Sequence, residues 1–501
     1  MVEIVLVESD TIENKVLLSC HSLIAAFFPG KRVQAGSDKL DEQSYLYKLN
    51  LHFNHNRHQP VFKFKICDQK KVLTSLSHQA LDMDILEKLT LPGKESALQI
   101  LLKQAVIVFL TKYTKETAPW GILTGIRPGK LIQKMVELGI PDSEQTKLLE
   151  DIYLVHSDKI TLLKSVARAQ KPFLQTMKAQ TDLISLYISI PFCPSRCYYC
   201  SFPSNNLNCS DLHKYLDVLV KEIELAAETI KSKGLRVNAI YIGGGTPTVL
   251  SAKELTKILD KISKHVPVND NFEYTVEAGR PDTIDEEKLR VLERYGINRI
   301  SINPQSMQDS TLERIGRRHT IADVYKCYEL ARKNQNWAIN MDLILGLPEE
   351  GYKEIEDTLK KVIALNPENI TVHALAIKRG STAWAENYTS NTMNYWLDIQ
   401  KYVHTNIVSK GFVPYYLYRQ KYIIGNLENI GYALAGNECQ YNIAIIEERQ
   451  NILGIGAGSV NKIMNSDKTT HRNIYHPVDL KSYMRGYEDV HFKVRKALDY
   501  S

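Results

Sequence analysis

Short apolar runs alternate with long amphipathic stretches over the central part of the chain. From Leu186 onward six β-rich runs recur: LYISIP, NAIYIGGG, FEYTVEA, NRISINP, AINMDLILG and NITVHALAI. The segments between them, such as DLHKYLDVLVKEIELAAETIKSKG and GYKEIEDTLKKVIALNP, carry apolar residues at helical spacing and charges on the opposite face. Six strand and helix units, about 30–40 residues apart, predict parallel strands with crossover helices, in a doubly wound sheet or an open barrel.

The regions on either side of these six units show different patterns. In residues 1–180, SYLYKLNLHF and QPVFKFKICD alternate like the strands of a hairpin, and KESALQILLKQAVIVFLTKYTKET has the length and apolar content of a helix. These features predict a separate N-terminal α+β domain before a barrel over 181–390. Residues 391–501 form a third, C-terminal region on the substrate side. There, tyrosines beside Arg419 and Lys421 predict either a site for a flat acidic ligand or an amphipathic strand packed on the barrel.

Composition and charge exclude several classes of protein. The chain has 501 residues and a net charge of +6, and its basic residues are spread out, so we expect no nucleic-acid partner. The first residues are acidic where a signal peptide is basic, and no apolar run reaches the roughly 18 residues that span a bilayer. We therefore expect a cytoplasmic protein with no stable membrane insertion. Eight cysteines in so long a chain do not indicate a disulfide framework.

Three of the cysteines follow the first strand of the barrel. Cys193, Cys197 and Cys200 lie in the segment CPSRCYYC, one thiol short of the usual four metal ligands. A structural zinc site would need Cys209 or His213 as the fourth ligand. Zinc ligands usually come in pairs on separate turns, whereas three closely spaced thiolates suit a four-iron cubane cluster better. Such a cluster keeps one iron free to bind a small molecule.

Polar and glycine-rich segments also follow the next four strands. They are GGGTP, EAGRPD, NPQS and GLPEEG. In both candidate folds the carboxyl ends of parallel strands gather at one edge, where active sites form. This clustering is the observation from the residues themselves that most strongly predicts an enzyme.

The same segments carry a family resemblance. CPSRCYYC and YIGGGTPT resemble the cysteine and glycine motifs of radical S-adenosylmethionine (SAM) enzymes. The chain is more closely similar to their oxygen-independent coproporphyrinogen III oxidase (dehydrogenase) branch, through YISIPFC, EAGRPDT, INPQS and MDLILGLP. The resemblance implies an α/β fold, the open (β/α)6 partial TIM-type barrel of the radical SAM class.

The resemblance also implies the cofactors and their ligands. Cys193, Cys197 and Cys200 would bind a [4Fe-4S] cluster. The residues at the positions that contact SAM in the family are Tyr187, Tyr199, Gly244, Gly245, Thr246, Glu277, Gln305, Arg317, Asp342, Ala376 and Val460. Gln305 and Asp342 can bind ribose hydroxyls, while Arg317, or Arg318 beside it, can pair with the carboxylate of SAM.

The activity that the resemblance implies is the oxidative decarboxylation of two propionates of coproporphyrinogen III to vinyl groups, giving protoporphyrinogen IX in anaerobic haem biosynthesis. A ferredoxin or flavodoxin type protein would supply electrons. Candidate cations for the substrate propionates are Arg419 and Lys421, with Arg280, Lys378 and Arg379. Phe202 stands where the family's oxidases have a fourth cysteine, as it does in the haem-chaperone branch. Two alternatives therefore stay open: a haem-binding chaperone, and a radical SAM enzyme that acts on haem.

Overall fold

The computed structural model describes residues 4–29, 31–35, 46–54, 60–67, 72–79, 96–125, 127–202, 205–206, 209–386, 388–389 and 391–499. The chain divides into two compact units, each assembled from separated segments. Unit 1 comprises residues 1–165, 374–404 and 418–428, and unit 2 comprises residues 166–373, 405–417 and 429–501.

The strands are numbered along the chain. They are β1 Ile4–Ser9, β2 Arg32–Ala35, β3 Tyr47–Asn54, β4 Val61–Cys67, β5 Val72–Gln79, β6 Leu183–Ile190, β7 Phe192–Cys193, β8 Asn205–Asn206, β9 Arg236–Gly244, β10 Val268–Glu277, β11 Arg299–Ser301, β12 Ala338–Leu345, β13 Asn369–Ala374, β14 Val413–Tyr418, β15 Asn429–Ala433, β16 Ile452–Ile455, β17 Val460–Met464 and β18 His471–Tyr475.

The α-helices are numbered in the same way. They are α1 Asn14–Leu17, α2 His21–Phe27, α3 Ala97–Thr114, α4 Gly129–Glu137, α5 Asp142–Lys147, α6 Ser157–Ala179, α7 Cys209–Ser232, α8 Ala252–His265, α9 Glu286–Arg294, α10 Asp309–Arg314, α11 Ile321–Arg332, α12 Tyr352–Leu365, α13 Thr382–Ala385, α14 Met393–Val408, α15 Gln440–Glu447 and α16 Leu480–Leu498.

Unit 1 contains a mixed sheet in the order β2-β1-β3-β4-β5. The predicted hairpin is β3 and β4, which pair antiparallel, with Asn54 opposite Val61. The predicted helix is α3, which begins with a capping box between Ser96 and Gln99 and packs on the sheet through stacked rings of Phe109 and Phe64, 5.0 Å apart. The α+β prediction for this part of the chain is therefore confirmed at the level of its elements.

A buried polar cluster stabilises the interior of unit 1. Glu428 accepts hydrogen bonds from Trp120 Nε1 (2.7 Å) and Lys159 Nζ (2.6 Å), and Lys159 also donates to Gln400 Oε1 at 2.7 Å. Glu428 is fully buried, so these donors replace the water that its carboxylate loses. These polar contacts connect the segment around Trp120 with the segments that contain Gln400 and Glu428, which follow the barrel strands in sequence.

Unit 2 is built on a long sheet that contains the six predicted strands as consecutive neighbours: β6, β9, β10, β11, β12 and β13. The pairs from β6 to β12 are parallel. Helix α8, one of the crossover helices, buries Leu255, Ile258, Leu259 and Ile262, the spacing of one helix face. The open (β/α)6 architecture is confirmed, and the doubly wound alternative is not.

The domain boundaries differ from those predicted. Residues 429–501 do not form a third region with 391–428, because their strands extend the sheet of unit 2: β16 pairs in parallel with β6, and β15 pairs antiparallel with β13. Edge strands leave backbone groups unpaired, and these C-terminal strands satisfy them. The segments 391–404 and 418–428 belong to unit 1 instead. Strand pairing between distant segments leaves no local trace in the sequence, which is why the prediction missed it.

Within the part of the chain that the structure describes, every helix is too short or too polar to cross a membrane.

Candidate active site

The three cysteines lie on one loop directly after β6. Cys193 ends β7, and the backbone N–H of Cys200 donates to the carbonyl of Cys197 at 3.1 Å, so the second and third thiols share a tight turn. Two of the thiols have polar donors beside them: Thr246 Oγ1 lies 3.6 Å from Cys193 Sγ, and Arg280 Nη1 lies 3.6 Å from Cys197 Sγ. Hydroxyl and guanidinium donors stabilise a thiolate, the form of cysteine that binds metal.

Of the two candidates for a fourth zinc ligand, the structure describes the side chain of only one, His213. Among the described residues, no three His, Cys, Asp or Glu side chains converge on a point where one metal ion could sit. The side chain of Cys209 lies outside the described residues, and His213 pairs with Glu254 at 3.2 Å instead.

Arg280 is an internal support of the cysteine loop. Its side chain is only 4% exposed and forms two hydrogen bonds with the carboxylate of Asp282, at 3.0 and 2.9 Å. The same guanidinium donates to Ser195 Oγ at 3.2 Å. Burial works to raise the pKa of Asp282, but the imidazole of His319, 3.7 Å away, and the hydrogen bonds from Arg280 outweigh it and hold that pKa well below its usual range. The sequence expectation that Arg280 could bind propionate is not supported by this buried position.

The glycine motif at the end of β9 packs against the strand that carries the first cysteine. The N–H of Gly245 donates to the carbonyl of Ile190 at 2.8 Å, and the N–H of Thr246 donates to that of Phe192 at 2.8 Å. A Cβ at Gly245 would overlap the backbone of Phe192. Gly244 has φ +110°, which side chains disfavour. Besides leaving room for a ligand, the glycines allow this close backbone contact.

Glu277 ends β10 beside this motif. Its Oε1 accepts a hydrogen bond from Tyr241 Oη at 2.6 Å, and a Cβ at Gly243 would lie 2.8 Å from its Oε2. Burial raises the pKa of Glu277 to about 7, although the hydrogen bond from Tyr241 acts against this. A carboxylate held in this way favours a cationic ligand such as an ammonium group.

Asp342 and Gln305 meet at the ends of the next two strands. The N–H of Gln305 donates to the carbonyl of Asp342 at 2.9 Å, and the Asp342 carboxylate accepts from Asn340 Nδ2 at 2.7 Å, with His373 Nε2 3.7 Å away. Burial works to raise the pKa of Asp342, but His373 outweighs it and keeps that pKa below its usual value. Gln305 has φ +67° and a buried Oε1 with no hydrogen-bond partner. A strained residue with an orphaned acceptor indicates a position that a ligand completes.

Arg317 is buried beside the cysteine loop. Its Nη1 donates to the carbonyls of Gly279 (3.1 Å) and Asn303 (2.6 Å), and its Nη2 donates to Tyr199 Oη at 3.0 Å. Its Nε has no hydrogen-bond partner. Arg318, the alternative, is exposed. The buried guanidinium of Arg317 is therefore better suited to an anionic ligand than that of Arg318.

Partly exposed side chains lie near the carboxyl ends of several barrel strands. Tyr187 is the one partly exposed residue of β6, and His373 is the one partly exposed residue of β13. Tyr241, Glu277 and Asp342 are the corresponding partly exposed residues near the carboxyl ends of the strands between them. The sequence analysis did not identify Tyr241 and His373, although both follow the strand alternation that places Tyr187 and Asp342.

The remaining predicted residues lie in both units. Val460 begins β17, on the C-terminal extension of the same sheet, whereas Ala376 belongs to unit 1 and pairs with Ile423. Arg419 is 5% exposed in unit 1 and donates to the carbonyls of Leu123, Asn426 and Leu427. Burial lowers the pKa of Arg419 to about 10. Its occupied donors indicate a structural role, while Lys421 is exposed.

The donor set fits a [4Fe-4S] cluster with SAM. Three thiols on one loop, two with donors beside them, supply the cluster ligands. The orphaned Oε1 of Gln305 and Nε of Arg317 are complementary to hydroxyl and carboxylate groups, and the carboxylate of Glu277 is complementary to an amine. The individual SAM contacts stay predictions.

Comparison with known proteins agrees with this arrangement. The profile of the radical SAM superfamily matches residues 187–362. The chain is 41% identical over 389 residues to the oxygen-independent coproporphyrinogen-III oxidase-like protein HemZ of Bacillus subtilis, with 76% of this chain and 77% of that protein covered. It is 32% identical to the heme chaperone HemW of the same organism, with 59% and 75% covered. The structure of coproporphyrinogen III oxidase (HemN) from Escherichia coli aligns with a TM-score of 0.50 and 22% identity, over 64% and 72% of the chains.

Replacing Arg280 by Met should lower the midpoint potential of the bound cluster. The cation beside Cys197 stabilises the more negative, reduced state, and its loss should shift the potential by on the order of 59 mV, a tenfold change in a one-electron equilibrium. A redox titration followed by electron paramagnetic resonance measures the shift. Arg290→Met, which removes an exposed arginine of the same unit, is the control. An unchanged potential in Arg280→Met protein with full iron content would contradict this role.

The affinity for SAM should fall as the pH is lowered, because the carboxylate of Glu277 becomes protonated. With a pKa of about 7, this carboxyl becomes neutral as the pH falls below 7 and loses its attraction for the ammonium group of SAM. The dissociation constant should rise by up to about tenfold per pH unit between pH 7 and 5.5, the limit for one titrating group. Anaerobic equilibrium dialysis measures it. Glu277→Gln should bind SAM more weakly at pH 8 and show a flat profile; the same slope in both proteins would refute the assignment.

Proposed function

Because the chain belongs to the radical SAM superfamily, in the family of oxygen-independent coproporphyrinogen-III oxidase-like proteins, we propose that it is a coproporphyrinogen III dehydrogenase. Members of the superfamily use a [4Fe-4S] cluster and SAM. The proposed reaction converts two propionates of coproporphyrinogen III to vinyl groups and gives protoporphyrinogen IX. It belongs to oxygen-independent haem biosynthesis, which we place in the cytoplasm.

The observation that carries the proposal is the row of accessible polar side chains beside the cysteine loop. Tyr241, Glu277, Asp342 and His373 are partly exposed residues near the carboxyl ends of β9, β10, β12 and β13. An enzyme that generates a radical needs such an enclosed opening, since the surrounding apolar strands exclude water from the reacting groups. The printed names of the HemZ and HemN relatives supply the substrate class.

In this proposal, the residues of the barrel would hold the cofactors and exclude solvent. When bound, the cluster and SAM would supply the radical chemistry that removes a hydrogen atom from the β-carbon of a propionate. Cys193, Cys197 and Cys200 would hold the cluster, and Arg280 and Thr246 stabilise two of the thiolates. The other cofactor ligands would be Glu277 for the amine, Arg317 for the carboxylate, and Gln305 and Asp342 for the ribose.

The chemical balance of each round requires a partner that accepts an electron. Removal of one hydrogen atom, release of carbon dioxide and loss of one electron convert a propionate to a vinyl group. A ferredoxin or flavodoxin type protein would deliver the electron that starts each round, and a separate acceptor would take the electron that leaves. Nothing in this cycle needs oxygen.

A haem chaperone is the second candidate function, and two observations favour it. HemW, a chaperone by name, is 32% identical to this chain. Phe202, at the position where the family's oxidases have a fourth cysteine, is 64% exposed and supplies no thiol. A chaperone of this kind would bind haem stoichiometrically and form no vinyl product.

An anaerobic assay separates the two functions. Reconstituted protein with coproporphyrinogen III, SAM and a low-potential reductant should form protoporphyrinogen IX and about two molecules each of carbon dioxide and 5′-deoxyadenosine per product, one per propionate. Chromatography of the oxidised porphyrins measures the product. Cys197→Ala should abolish the reaction, since the cluster loses a ligand, whereas Phe202→Cys should leave it largely intact. Wild-type protein that binds haem and cleaves SAM but never forms the two-vinyl product would refute the dehydrogenase assignment.

A further inference from the structure

We propose that an exposed surface of unit 1 binds a tetrapyrrole through its carboxylate side chains and one face of its ring. We call this surface the basic-aromatic patch, and define it by Lys378, Arg379, Trp384, Lys421 and Tyr422. The proposal takes the class of ligand from the proposed function, and it adds the place where that ligand is held.

Two segments of unit 1 pair side by side and bring the cations of the patch together. Ala376 and Ile423 form an antiparallel bridge, and the N–H of Ile377 donates to the carbonyl of Tyr422 at 3.1 Å. Lys378 directly follows Ile377 on one segment, and Lys421 directly precedes Tyr422 on the other. Arg379 follows directly, so three positive charges come from adjacent positions of two paired segments.

Two aromatic rings lie beside these cations and face solvent. Trp384 is 41% exposed and Tyr422 is 53% exposed, and their ring centroids are 6.0 Å apart at 65°. Trp384 is held by an ordered turn, because Ser381 Oγ accepts from its N–H at 3.2 Å and donates to the carbonyl of Lys378 at 2.8 Å. Large aromatic side chains on a fixed turn are suited to contact the face of a planar ligand.

The backbone of Tyr422 adopts a conformation that is strained for a bulky residue. Its φ is +58°, in the left-handed region that bulky residues avoid. A residue of this kind commonly persists where function retains it, at ligand clamps in particular. Asn or Gly would adopt this conformation with less strain. We therefore expect the aromatic ring of Tyr422 to serve a function that outweighs the strain.

Two of the charges of the patch, those of Arg379 and Lys421, are available for a ligand. Among the residues that the structure describes, neither Arg379 nor Lys421 forms an ion pair or a side-chain hydrogen bond, and both are exposed. Arg419, two residues before Lys421, is the opposite case, since backbone carbonyls occupy its donors. Unpaired cations beside exposed rings are complementary to a flat ring system that carries several carboxylates.

Coproporphyrin III, the stable oxidised form of the proposed substrate, is the probe for this surface. Its fluorescence reports binding to the full-length chain without any turnover. The double variant Arg379→Ala/Lys421→Ala should bind it at least about tenfold more weakly, the effect expected from losing a charge-assisted hydrogen bond. Arg32→Ala/Lys147→Ala, which removes two exposed cations elsewhere in unit 1, should bind like the wild type. Added salt should weaken binding to the wild type and to this control more than to the patch variant.

Tyr422→Asn separates binding from folding. Asn accepts the left-handed backbone, so the thermal midpoint should not fall, while coproporphyrin affinity should drop through loss of the ring. Equal affinity in the wild type, the double variant and Tyr422→Asn overturns the patch, whatever the assay for vinyl products gives. Loss of binding in both variants, with a wild type that forms no vinyl product, supports the patch and refutes the dehydrogenase function instead.

Discussion

Backbone contact between the glycine-rich end of β9 and the segment that carries Cys193 is the constraint on which the site depends. Gly245 and Thr246 donate to the carbonyls of Ile190 and Phe192, and a side chain at Gly245 would overlap the backbone of Phe192. This contact fixes where the cysteine loop leaves the barrel. It also places the hydroxyl of Thr246 beside Cys193, so the fold and the cluster site share the same few atoms.

Burial of charged groups gives the site its chemistry. Glu277 keeps a raised pKa because its carboxylate is desolvated, whereas Asp342 stays ionised through His373. Arg280 and Arg317 bring positive charge to the cysteine loop, and each is held by oxygen acceptors of the barrel. Desolvated charges of both signs, fixed before a ligand arrives, can bind a zwitterion such as SAM with little rearrangement.

Local sequence patterns predicted the helices and strands of this protein, but they did not predict which distant strands pair with each other. Alternation and helical spacing predicted the six parallel strands, and the strand ends predicted where Glu277, Gln305 and Asp342 would gather. The sequence did not reveal that β16 pairs with β6 or that β15 pairs with β13, since these contacts join segments far apart in the chain. Charge type alone misled at Arg419 and Arg280, because an arginine that binds a carbonyl or a thiolate looks the same in sequence as one that binds a substrate. The αL backbone of Gln305 and Tyr422 left no trace in their residue types.

The central claim is that the loop after β6 holds a four-iron cluster, and metal analysis of anaerobically reconstituted protein tests it most directly. We expect about four irons and four sulfides per chain, the content of one cubane. The triple variant Cys193→Ala/Cys197→Ala/Cys200→Ala should contain neither and should keep its circular dichroism spectrum. One zinc and no iron in the wild type, or iron retained in the folded triple variant, would contradict the account.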